Sequence, residues 1–144
     1  MNLEPLASFP QLKGLSLDGC SVTDLYPLAC LKQLHWLSLS GCTAVEDLAP
    51  LADLTELITL SLEGCTSIEN LAPLAGLTHL RWLSLPNCSG IRDLAPLTGL
   101  TQLLTLDISG CSSLSAEAVA MVSQGLPKVR IHSSEGNSLG NNLA

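Results

Sequence analysis

Leucine recurs along this chain at a repeating pair of intervals, two positions skipped and then one, giving L-x-x-L-x-L. The L-x-L part alternates apolar and polar residues, which predicts a short strand with one face buried. Five copies keep the pattern: Leu12, Leu15 and Leu17; Leu34, Leu37 and Leu39; Leu57, Leu60 and Leu62; Leu80, Leu83 and Leu85; Leu103, Leu106 and Ile108. A cysteine follows each copy at one offset, so Cys20, Cys42, Cys65, Cys88 and Cys111 mark a nearly constant step along the chain. Between the strands run "AVEDLAPLADLTEL", "SIENLAPLAGLTHL" and "GIRDLAPLTGLTQL". In these links Pro27, Pro50, Pro73 and Pro96 lack an N–H and have a fixed φ, which suits the first turn of a short helix. Asp24, Asp47, Asn70 and Asp93 stand three residues earlier, with side chains able to accept from amides of that turn.

The two ends depart from this pattern. "SAEAVAMVSQG" puts Val119, Val122 and Leu126 on one helical face between Ser115 as N-cap and Gly125 as stop, predicting an α-helix of about two to three turns. Leu126, Val129 and Ile131 lie one repeat step after Leu103, Leu106 and Ile108. Residues 126–132 are therefore expected as a sixth strand in the same register, with Ser134 in the cysteine place. At the start, "LEPLASFPQL" aligns with the later "LYPLACLKQL", so 3–11 is a half-repeat without a separate cap. Solenoid ends need capping units, so either this half-repeat is the cap or, as expected, the chain is a piece of a longer protein whose open N-terminal end self-associates or frays.

A short, fixed period of this kind, roughly 22 to 23 residues, identifies a stacked repeat architecture before any local reading is made. The L-x-x-L-x-L-x-x-C motif and the D-L-x-P-L-x-x-L links resemble those of leucine-rich repeat proteins, of the internalin-like and cysteine-containing short classes. The resemblance covers nearly the whole chain. It implies an α/β fold: a right-handed solenoid with about six short parallel strands on a concave face and short helical turns on the return side. A C-terminal helix and strand would close the core. The repeat domain is placed at 1–132, with repeats starting at 12, 34, 57, 80 and 103, followed by a flexible polar tail at 133–144.

Composition narrows the function. Thirteen acidic against six basic residues give a net charge of -7, which repels a phosphate backbone, so nucleic acid is not an expected partner. No apolar run approaches the roughly 20 residues of a membrane span, and no export signal opens the chain. The cysteine spacing offers no C-x-x-C pair for zinc, and stacked side chains pointing one way do not suit disulfides. The five ladder cysteines are therefore read as buried structural thiols, which points to a reducing, cytoplasmic setting. His35, His79 and His132 occupy unrelated repeat positions, and no nucleophile, phosphate-loop or metalloprotease motif is present. No cofactor and no catalysis are expected.

What remains is the polar side of the strands. Its first column reads Gly14, Trp36, Thr59, Trp82, Thr105 and Lys128; its second Ser16, Ser38, Ser61, Ser84, Asp107 and Arg130; its third Asp18, Ser40, Glu63, Pro86, Ser109 and His132. Small hydroxyls form a low floor beside which the only two tryptophans rise. Tryptophan is enriched where binding energy concentrates. Trp36, Trp82, Thr59, Ser38, Ser61, Ser84, Glu63, Asp107 and Arg130 are accordingly the expected protein-binding face, with Arg130 beside Asp107 on the next strand; the alternative is that Trp82 is only a copy of Trp36 in a duplicated two-repeat unit. By family resemblance the chain would be the C-terminal recognition or sensor region of a larger intracellular receptor, effector or scaffold protein, or else an internalin-like cell-surface adhesin, or, more remotely, part of an enzyme with the active site in another domain.

Overall fold

The computed structural model describes residues 1–133 and 138–140. Six three-residue strands lie parallel in chain order: β1 (Gly14–Ser16), β2 (Trp36–Ser38), β3 (Thr59–Ser61), β4 (Trp82–Ser84), β5 (Thr105–Asp107) and β6 (Arg130–His132). A seventh, β7 (Ser138–Gly140), pairs antiparallel with β6. Leu15, Leu37, Leu60, Leu83, Leu106 and Ile131 share one row across the parallel strands. Because side chains alternate, that row faces inward, where Leu37 through Ile131 are buried.

Short 3-10 helices return the chain: Glu4–Ser8, Tyr26–Cys30, Ala49–Leu51, Ala72–Leu74 and Ala95–Gly99. Each has proline in its first turn, where the missing N–H costs nothing. Oδ1 of Asp24, Asp47, Asn70 and Asp93 accepts from the N–H two residues on, at 2.9, 2.8, 2.9 and 2.9 Å. Asn2 makes the same bond to Glu4 at 3.0 Å, so the half-repeat folds like the others. Every strand exit from β1 to β5 turns through a left-handed residue, glycine in four repeats and Asn87 (φ 61°) in the other. Asparagine is the side-chain-bearing residue that best tolerates that region.

The only α-helix among the described residues, α1 (Ala116–Gly125), begins where the sequence places it, with Ser115 Oγ accepting from Ala118 N–H at 3.1 Å. Its Val122 and the following Leu126 are buried, and Val119 is partly so. The helix changes the register that follows. Ile131, rather than Val129, pairs with Leu106, and the pairs beside it are Thr105 with Arg130 and Asp107 with His132. The expected placement of Lys128 beside Thr105 and of Arg130 beside Asp107 is thus corrected by two positions. A ten-residue helix rising about 1.5 Å per residue takes up more chain than a 3-10 turn of three to five, and the extra length is inserted before β6. The shift is even, so Arg130 and His132 keep the outward face.

Within the stretch 133–144, expected as a flexible tail, residues 138–140 form β7 along the edge of β6. Ser134, the expected occupant of the cysteine place, lies outside the described residues, as does the rest of that stretch beyond β7 and Ser133.

Candidate functional site

On the outward face Trp36, Thr59 and Trp82 stand in register on β2, β3 and β4, and Ser38, Ser61 and Ser84 form the next row. The two indoles are equally open, at 47% and 44% exposure. Their surroundings differ. A side chain on Gly14 would collide with Trp36 Nε1, so the Trp36 indole lies over the bare backbone of β1. Thr59, Trp82 and Thr105 fill the same column further on, and Gly14 is the one gap in it.

The N-terminal half of this face is also internally bonded. The Ser38 hydroxyl and the Ser40 N–H both donate to Asp18 Oδ1, at 2.5 and 2.9 Å. Ser40 Oγ lies 3.3 Å from Ser38 Oγ and 3.0 Å from Ser61 Oγ, which links β1, β2 and β3 through hydroxyls. The Ser38 hydroxyl bond holds the Asp18 carboxyl below the usual carboxylate value.

Further along, Trp82, Ser84, Thr105, Asp107, Ser109 and His132 line a shallow depression of about 440 Å³. Asp107 Oδ1 accepts from the Ser109 N–H at 2.9 Å, an interaction within its own repeat just past β5. Arg130 extends the Trp82–Thr105 column and is exposed. Glu63 is exposed where the chain leaves β3, apart from the depression. Of the nine residues expected to bind, Trp82, Ser84 and Asp107 therefore line one depression. Trp36, Thr59, Ser38 and Ser61 belong to the self-bonded half or its border.

The cysteine column lies on the other side of the sheet. Cys42, Cys65, Cys88 and Cys111 are buried, and each Sγ–H donates to a carbonyl one repeat back: Leu17, Leu39, Leu62 and Leu85, at 3.1, 3.0, 3.0 and 2.9 Å. Burial pushes the Cys65 thiol up to about 11 and Cys88 to about 12, and raises Cys42 and Cys111 as well. Cys20, at the head of the column, is only half-buried, and Cys30 is exposed, its Sγ 3.3 Å from Pro27 O. All six thiols are free.

Among the described residues no cluster of three or more potential metal ligands occurs, and no buried side-chain polar atom is left unpaired. No helix there is long and apolar enough to cross a membrane. His79 Nδ1 lies 3.0 Å from Thr55 O on the return side, whereas His132 faces the depression. Two features escaped sequence reasoning. The Trp36 cover over β1 was signalled by Gly14 standing where other repeats carry a side chain; the Asp18 bonds had no comparable signal, since Glu63 also puts a carboxylate in that column.

This architecture is found in known structures. Internalin C2 of Listeria monocytogenes superposes with a TM-score of 0.78 and 31% identity over 91% of this chain and 55% of its own. The functional domain of InlJ from the same organism, which includes a cysteine ladder, matches at 0.51 and 20% identity over 72% of this chain and 26% of its own. The leucine-rich repeat ectodomain of the Arabidopsis receptor kinase HAESA, solved with an N-terminally extended IDA peptide hormone, matches at 0.64 and 22% over 92% and 23%. No protein-family profile and no curated protein sequence matches. With its six stacked strands and leucine rows, the chain has the leucine-rich repeat fold that these structures share. It spans about half the length of internalin C2.

Proposed function

We propose that this chain is a non-catalytic recognition module that binds a partner protein across its outward, concave sheet face, as part of a larger intracellular receptor, effector or scaffold protein. The observation that carries the reading is a half-exposed tryptophan, Trp82, at the margin of a depression with a small polar floor of Ser84 and Thr105. An indole held open to solvent on a rigid sheet is the kind of anchor that dominates protein interfaces. The ectodomain of HAESA, with the same fold, holds a peptide hormone. The six free thiols favour a reducing compartment. Likeness to internalin C2 favours a second reading, a surface adhesin, and microscopy of the tagged full-length product separates the two.

The test is capture of partners from the source cell with wild-type protein and with Trp82→Ala as baits. Loss of a specific partner from the variant, with an unchanged melting curve, is the expected result. Identical recovery by both baits overturns the reading. Self-association is a separate proposal, resting on exposed Phe9 and half-buried Leu6, Leu12 and Leu15 at the N-terminal end. A concentration-independent monomer in sedimentation would dismiss it.

A further inference from the structure

Resting on the reading above, the depression on β4 to β6 also defines the chemistry of what it takes. Its one carboxylate is Asp107, and no lysine or arginine lines it. The carboxylate lines the depression, and of its two oxygens it is Oδ1 that accepts from the Ser109 N–H. Trp82 supplies an aromatic surface beside it, and Ser84 and Thr105 are too short to fill the space between. A guanidinium or ammonium gains from an aromatic face and from a carboxylate together. The chain's charge of -7 adds a long-range attraction for a cationic segment.

We infer that the depression seats an arginine or lysine side chain of the partner protein, stacked on Trp82 and paired with Asp107. The Trp36 side offers no equivalent. Asp18 there already accepts from Ser38 and Ser40, and the indole lies over Gly14. Arg130, exposed on β6 beside Thr105, is not part of the lining and its charge opposes a cation there, while His132, the register partner of Asp107, does line the depression.

The test uses Trp36→Phe protein, in which Trp82 is the only fluorophore of its kind, with melting curves to verify the fold. It is titrated with the peptide acetyl-(Gly-Arg)₃-amide, and with the same peptide carrying neutral citrulline for arginine. The arginine peptide is expected to change Trp82 emission with at least tenfold higher affinity than the citrulline peptide. Asp107→Asn should remove that difference, whereas Asp53→Asn, an equal charge change on the return side, should preserve it. Equal affinity for both peptides, an equal effect of Asp53→Asn, or no Trp82 response at millimolar peptide would each overturn the inference. Partner capture that is lost in Trp82→Ala yet unchanged in Asp107→Asn would leave the binding reading standing and remove this one.

Discussion

The two halves of the concave face are built from the same repeat and do different things with it. On β1 to β3 the polar side chains bond to one another, and the tryptophan covers bare backbone. On β4 to β6 the corresponding tryptophan and serine, with Asp107 in the serine row, surround an open depression. Exposure does not separate the two indoles, since they are within a few per cent of each other. Their neighbours do: Gly14 in one half, and side chains on either flank in the other. A repeated sequence position thus sets orientation, while the residue one strand away decides whether that position is spent on the fold or left open.

The largest contrast between the ends of the molecule should be in thiol chemistry. At pH 8 only on the order of a thousandth of Cys65 would be ionised, given a thiol pushed up to about 11, and the attacking species is the thiolate. Cys30 and Cys20, exposed and half-buried, should be labelled by a thiol reagent in the native protein, and Cys42, Cys65, Cys88 and Cys111 only after unfolding. Mass mapping of the labelled peptides reads this directly, and native labelling of Cys88 would refute it. The same burial predicts alkaline instability. Folded Cys65 and Cys88 stay protonated up to about 11 and 12, whereas their unfolded counterparts ionise near 9.0. The unfolded state therefore sheds protons first, and stability should fall from about pH 9 up to those values. Cys65→Ala with Cys88→Ala should flatten that slope in urea melts.

Next in size is the split between the tryptophans. Trp82→Ala should cost about 2 kcal/mol or more of partner affinity, roughly thirtyfold, with the melting midpoint unchanged. Trp36→Ala should do the reverse: small loss of affinity, and about 1 kcal/mol less stability because β1 loses its cover. Titration of the captured partner and thermal melts give both numbers. Equal affinity losses would mean the halves act as one surface.

Most of the fold was legible because its causes are local and periodic. The L-x-L alternation, the proline that starts each return turn, the carboxylate or amide three residues before it and the Ser115 cap each act within a few residues. The β6 register was not legible, because it depends on how much chain α1 consumes, a length that the repeat period does not contain. β7 was not legible either, since a short polar segment pairs with an edge through backbone groups that any sequence supplies. At the candidate site the columns of β1 to β5 could be written from the period alone. Which columns are occupied could not, because Ser38 reaching Asp18 and Trp36 reaching Gly14 are contacts between repeats.

The smallest expected effect concerns Asp18, and it tests whether the N-terminal half is held by its own polar bonds. The Ser38 hydroxyl and the Ser40 N–H stabilise the ionised carboxylate, so its folded value lies below the ordinary 3.8. A group depressed on folding stabilises the protein above its unfolded value, and that stability is lost as pH falls through the folded one. Asp18→Asn should therefore lower the melting midpoint at pH 7 slightly, and the gap to wild type should close as the pH is taken below 3.8 toward the folded value. Because the carboxylate is exposed, the gap at pH 7 should also shrink in high salt. Trp82 emission and arginine-peptide binding should not change, since the depression shares no hydrogen bond with Asp18. A pH-independent gap would mean that Asp18 holds β1 to β2 by shape alone. A change at Trp82 would mean that the two halves are coupled through the serine row, and the contrast between them would have to be given up.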